Sequence, residues 1–424
     1  MNVPSRGLHA VRHESSNWRV PGWGASQGAP GLDLLRLVSV SGQPVAAFFS
    51  ESWAAYTGAS QWSDVPPVEA SLSLIGESVM DQTFGLVVNL FTGVPSPEQV
   101  RKANQDVDRM YAFMDEGGWL GSPLGYHRRP TAPTEWWLRE EAAWYGASRQ
   151  PYRHLEFESG FRPRTGEPGG EAWMEKECNL RQHAYVLEHE GEPRPWLVCV
   201  HGFSMGSPMV NFVGFDLQRL HHDLGLNLIF PCLPLHGPRA AGAMSGGDLL
   251  QPDYLNVVHT FAQAVWDVRR TIAWVRARGA PKIGIYGISL GGHNASIVSG
   301  LEPDLECVIA GIPAVDFPAL AQDNEPFIIR RYTNEFEVPW DRVRSISHVV
   351  SPLSFLPVMP VERRFIYAGT ADRVARPIHA RALWRHWDRP KIHWFSGGHV
   401  LAVTNPSARQ FVQDSLRDSE MLPA

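Results

Sequence analysis

The sequence predicts an α/β protein with a mostly parallel central sheet, helices on both faces, an N-terminal extension and a cap insertion. Three observations predict it. From about residue 180 onward, short apolar runs alternate with helical patterns, the signature of successive β-α-β units. Several of the runs, such as "WLVCV" and "LIFPCL", are almost continuously apolar, as strands buried on both faces are. Two of them lead into a G-x-S-x-G turn, Gly202-Phe203-Ser204-Met205-Gly206 and Gly287-Ile288-Ser289-Leu290-Gly291, the pattern that raises a nucleophilic serine above a sheet.

The first 175 residues have their own texture, with nine of the sixteen tryptophans, many Pro and Gly breaks, and one clear helical pattern, "PEQVRKANQDVDRMYAFMDEG". No repeat of propeller or solenoid length is present. "SGFRPRTGEPGGEAW" reads as a linker, so residues 1–175 are expected to form a Trp-rich extension packed on a catalytic domain of residues 176–424. The tryptophans either pack that extension down or line a surface for substrate or partner.

Within 176–424, strands are expected at 183–190, 195–200, 226–235, 282–286, 305–311, 363–369 and 390–395. Ser207-Pro208 is expected to open a helix that Gly225 stops, and apolar residues from Leu255 to Val275 recur at helical spacing up to Gly279. The stretch 313–360 is long for a crossover and is expected to be an insertion over one end of the sheet. Charge mixed among its apolar residues and breaks at Pro326, Pro339 and Pro352 suit a closed cap more than an amphipathic lid, which implies short-acyl substrates. Its arginines Arg330, Arg331, Arg342 and Arg344 face either the pocket or solvent.

Composition bounds the function. Hydrophobic residues at 44% and charged ones at 19% describe a globular chain with ample core material. A net charge of -6 and the absence of a basic run give no electrostatic reason to bind nucleic acid. Cys178, Cys199, Cys232 and Cys307 show no C-x-x-C spacing, and three of them lie in apolar runs, so neither a zinc cluster nor a disulfide framework is expected. The first residues lack the apolar core of a secretory signal and no stretch is long enough for a membrane span, so a cytoplasmic protein is expected.

Of the two serines, Ser289 has the better setting. "KIGIYGISLGGHNASIVSG" supplies a strand, a glycine-flanked turn and a helix of small residues, whereas the helix after Ser204 starts three residues further on. The remaining members of a nucleophilic triad follow in order. Asp372 comes after the strand in "IYAGTADRVARP", and His399 lies in the Gly-rich loop of "IHWFSGGHV". An imidazole is needed to take the serine proton, and a carboxylate to hold that imidazole in the right tautomer. Asp316 is the alternative acid and His393 the alternative histidine, the latter read as a packing residue. The run His221-His222-Asp223 lacks a third histidine at ligand spacing and reads as a solvated helix face. His236 lies at another strand end, where pocket and structural roles are both open.

Together "HGFSMG", "LPLHGPR", "GISLGGH", "AGTADRV" and "GGHV" resemble the α/β-hydrolase superfamily over some 240 residues. The resemblance is to the esterase-like branch around dienelactone hydrolases, acetyl-xylan esterases and prolyl-oligopeptidase catalytic domains. It implies that His201-Gly202 leads into the oxyanion loop, with the backbone N–H groups of Phe203 and Leu290 as donors. It also implies a serine hydrolase cleaving a small-molecule carboxylic ester through an acyl-enzyme, with no cofactor and no metal. A peptidase, an acyltransferase with the same triad and a non-catalytic binding protein remain alternatives. The sequence carries no signal for the natural substrate or for oligomeric state.

Overall fold

A computed structural model describes residues 63–68, 71–92, 95–251, 253–324 and 335–422. Nine strands form one sheet: β1 (Trp137–Tyr145), β2 (Ser148–Glu158), β3 (Arg181–Leu187), β4 (Trp196–Val200), β5 (Asn227–Pro231), β6 (Ile283–Ile288), β7 (Val308–Gly311), β8 (Arg364–Gly369) and β9 (Lys391–Phe395). Their order is β1-β2-β3-β5-β4-β6-β7-β8-β9. The pairs β1–β2, β2–β3 and β3–β5 are antiparallel, and every pair from β5 across to β9 is parallel.

The side-chain period of two divides the central strands between two cores. In β4, Trp196, Val198 and Val200 enter one core while Leu197 and Cys199 enter the other. In β6, Ile283 and Ile285 face the first and Tyr286 and Ile288 the second. Both faces are apolar, which is why these strands lack a polar alternation in sequence. Cys199, Cys232 and Cys307 are free and buried, packed as small hydrophobes in the second core.

The helices are α1 (Leu72–Thr92), α2 (Pro97–Glu116), α3 (Gly170–Met174), α4 (Pro208–Gly214), α5 (Tyr254–Ala277), α6 (Leu290–Ser299), α7 (Phe317–Asn324), α8 (Trp340–His348), α9 (Pro377–His386) and α10 (Pro406–Asp418). Residues of α5, α6 and α8 join the first core, and residues of α4 and α10 the second. The helix starts follow local chemistry. Ser96 and Gln99 form a capping box ahead of α2, and the Asp253 side chain accepts from Leu255 and Asn256 at the start of α5.

Two elements differ from the sequence expectation. The helix opened by Pro208 ends at Gly214, Asp216 takes φ 49°, and the chain resumes as a wide π-type turn over Gln218–Asp223. The Ser207 side chain makes no cap bond there. The β1–β2 hairpin comes from the segment expected to be an extension packed on the catalytic domain, and β2 pairs with β3 in the main sheet. β1 is the edge strand, half-exposed or exposed along its length, and its Arg and Glu residues hide a strand pattern. The sheet order, with its parallel half leading into a strand–serine–helix turn after β6, is that of the α/β-hydrolase fold. None of the described helices is long and apolar enough to cross a membrane.

Candidate active site

β6 ends at Ile288, α6 begins at Leu290, and Ser289 makes the whole turn between them with φ 56° and ψ −114°. A non-glycine residue held there costs on the order of 1–3 kcal/mol and persists only where its surroundings dictate it. Here Ser289 N–H donates to Gly311 at 2.8 Å, and its carbonyl accepts from His293 at 3.0 Å. Both flanking glycines are required by space. A Cβ on Gly287 would run into the Gly291 backbone, and one on Gly291 into the carbonyls of Val200 and His201.

His399 lies across from this turn. Its Nε2 is 2.9 Å from Ser289 Oγ and its Nδ1 is 2.7 Å from Asp372 Oδ2. The other carboxylate oxygen of Asp372 accepts from Val374 N at 2.9 Å and Ala375 N at 2.8 Å, which fixes the carboxylate in its loop after β8. Both side chains are buried. Burial works against a charged His399, yet the Asp372 carboxylate and, beyond it, Asp81 hold the imidazole above its ordinary value. Burial pushes Asp372 up as well, and its contact with His399 draws it back.

The first G-x-S-x-G stretch passes beside the second. His201, at the end of β4, is fully buried. Its Nδ1 donates to Gly202 O at 2.8 Å and its Nε2 accepts from Leu233 N at 3.0 Å, tying the loop to the end of β5. Gly202 lies against the Ser289 turn, since a Cβ there would be 3.5 Å from Ser289 Cβ. Ser204 is exposed in a turn with φ 65°. Gly206 follows at φ 103°, held by Asn211 Oδ1 at 3.0 Å and by the Tyr185 hydroxyl at 2.9 Å. Among the described residues, neither Phe203 N–H nor Leu290 N–H donates to a protein acceptor.

The structure gives the other candidates different partners. Asp316 is half-buried, and its Oδ1 accepts from Ala319 N at 3.0 Å to cap α7, while its own N–H faces His379. His393 bonds Ser407 and stacks on Phe411. His221 bonds the Leu226 carbonyl, His222 bonds Gln150, and Asp223 bonds Gln218 and Arg219. His236 is buried against Phe203, with Nδ1 donating to Pro234 O. Arg342 and Arg344 are exposed and paired with Asp108 and Asp341, whereas Arg330 and Arg331 lie outside the described residues. Among the described residues, His154, Glu156 and His183 have donor atoms close enough to share a cation. Arg139 and Arg181 already ion-pair to Glu156 there and supply positive charge.

Sequence reasoning missed the contribution of α1. Asp81 accepts from His399 N at 2.7 Å, Val400 N at 2.9 Å and Arg373 N at 3.1 Å, and Glu77 accepts from Gly398 N at 2.8 Å. Phe84 meets the Phe203 ring edge-on with centroids 6.3 Å apart. The signal was spacing: 77, 81 and 84 share one helix face, and two of those residues are acidic within the apolar run "LIGESVMDQTFG".

No family model matches this chain. It is 36% identical over 385 residues to the uncharacterized protein MT2702 of Mycobacterium tuberculosis, an alignment covering 89% of this chain and 90% of that protein. The chain belongs to the family of MT2702. Among solved structures it is similar to acetyl xylan esterase 1 from a Thermoanaerobacterium species at 15% identity, covering 76% of this chain and 99% of that one with a TM-score of 0.48. It is also similar to an acetyl xylan esterase from a Paenibacillus species at 15% identity, covering 72% and 99% with a TM-score of 0.46.

Proposed function

We propose that this protein is a serine hydrolase that cleaves a carboxylic ester through an acyl-enzyme on Ser289. The observation that carries the reading is the unbroken chain from Ser289 Oγ to His399 Nε2 and from His399 Nδ1 to Asp372, mounted on a strained turn. In this reading His399 Nε2 takes the hydroxyl proton as Oγ attacks the acyl carbon, and Asp372 stabilises the imidazolium that forms. The carbonyl oxygen becomes an oxyanion facing the N–H groups of Phe203 and Leu290, which among the described residues have no protein acceptor to give up. The tetrahedral species collapses as His399 returns its proton to the leaving alcohol, and the acyl-enzyme forms. Water then repeats the sequence and releases the acid. The motif resemblance to esterases favours an ester over a peptide.

The test is labelling with a fluorophosphonate beside hydrolysis of p-nitrophenyl esters. Wild-type protein is expected to label and to turn over short-acyl esters, and Ser289→Ala to do neither while remaining folded. A non-catalytic binding protein would leave the wild type unlabelled, and labelling that survived in Ser289→Ala would move the nucleophile elsewhere.

A further inference from the structure

The loop that carries His399 has the sequence Ser396-Gly397-Gly398-His399-Val400, and its glycines have no side chains with which to order it. Three successive backbone N–H groups, of Gly398, His399 and Val400, all point at carboxylates of α1. The glycines are what let those carboxylates in. A Cβ on Gly398 would sit 2.9 Å from Asp81 Oδ2, and one on Gly397 would sit 3.1 Å from Glu77 Oε2. Asp81 also takes the N–H of Arg373, the residue directly after Asp372. One buried carboxylate therefore grips the backbone beside both the histidine and the acid, although it lies 291 and 318 residues away from them in the chain.

From this geometry we propose that Asp81 is a positioning residue of the active site, fixing the separation of His399 and Asp372 and placing a second negative charge behind the imidazole. The proposal rests on the reading of Ser289, His399 and Asp372 as the reacting set. In that reading a positive charge appears on His399 in each half-reaction, in a buried site where water cannot screen it. The groups facing His399 are Asp372 from the loop after β8, Asp81 from α1, the Ser289 hydroxyl, and His379 from α9, with Glu77 one residue away on Gly398. Asp372 makes the direct contact. Asp81 acts through the backbone and through space, and both carboxylates favour the imidazolium. A carboxylate serving only to dock α1 would steady the fold and leave the titration of His399 alone.

The test is Asp81→Asn, which keeps an acceptor oxygen and removes the charge. Turnover is expected to fall on the order of 10–100-fold, the scale of a slight misplacement of a catalytic group, with KM little changed. The acidic limb of the pH–rate profile is expected to move to lower pH, because an anion that favoured protonated His399 is gone. The His399 ring titration, followed by NMR, is expected to move the same way and requires no turnover. Asp81→Glu keeps the charge and shifts it by one methylene, and it stands in if D81N does not fold. It is expected to lose turnover while its acidic limb stays where the wild type has it. Wild-type turnover and an unmoved His399 titration in D81N, or wild-type turnover in D81E, would overturn the proposal. A wild-type protein that neither labels nor hydrolyses esters would overturn the hydrolase reading instead, and the NMR titration would still judge Asp81.

Discussion

The two G-x-S-x-G turns have the same pattern and opposite construction. Both follow a buried parallel strand, and both hold their serine at positive φ, 65° for Ser204 and 56° for Ser289. At Ser289 the helix starts on the next residue, the serine reaches a histidine, and an added Cβ on either glycine would strike backbone. At Ser204 the helix starts four residues later at Pro208, and the serine is exposed. The histidine beside that turn, His201, spends both ring nitrogens on the backbone. The motif specifies a backbone bend. What differs is what the bend faces, and among the described residues only the second bend brings its serine hydroxyl to a histidine.

The contrast sharpens most at the acid. If the second turn works because an aspartate orients its histidine, Asp372→Asn should lower kcat by about four orders of magnitude, since a carboxamide holds the wrong tautomer. Asp316→Asn should change kcat by less than tenfold, because the Asp316 carboxylate caps α7 through Ala319 N and only its backbone N–H, which the change leaves in place, donates to His379. Steady-state kinetics on one p-nitrophenyl ester checks both. Equal losses would show that both carboxylates serve the histidine.

The two histidines predict different pH behaviour. Burial pushes His201 down to about 3, so it stays neutral through the working range. His399 is held above its ordinary value by Asp372 and Asp81. In the proposed mechanism its imidazole must be neutral to take the serine proton, so activity should be present above that raised value and be lost as pH falls through it. The acidic limb of kcat/KM in the free enzyme should therefore lie above about 6.5. A limb well below that would point away from His399 as the base.

Most of the sheet, and the positions of Ser289, Asp372 and His399 at its strand ends, were legible in the sequence because both are local. Strands β3 to β9 are apolar runs bounded by turn residues, and Ser289, Asp372 and His399 each lie within a few residues of such a run's end. The β1–β2 hairpin was not legible because an edge strand exposed or half-exposed along its length reads as charged coil. The clamp from α1 was invisible for another reason. Asp81 bonds backbone N–H groups, and a backbone donor leaves no trace in the identity of the residue that carries it. The break in the helix after Pro208 falls at Asp216, where no glycine announces a positive φ.

The smallest expected effect lies at Ser204 and bears directly on the contrast between the turns. Its side chain is exposed, and the Phe203 backbone N–H, the donor proposed for the oxyanion, stays in place when Ser204 is changed. Ser204→Ala should keep kcat/KM within about twofold of the wild type, since alanine fits the same backbone no better and no worse. Ser204→Gly goes further. Glycine removes the left-handed cost of an L-residue at φ 65°, so the unfolding free energy should rise by about 1 kcal/mol, read by urea denaturation. Ser289→Gly should relieve similar strain but abolish turnover, because there the strained residue is also the proposed nucleophile. A large loss of activity in Ser204→Ala would mean that the first turn contributes its hydroxyl as well as its backbone, and the two turns would no longer be opposites.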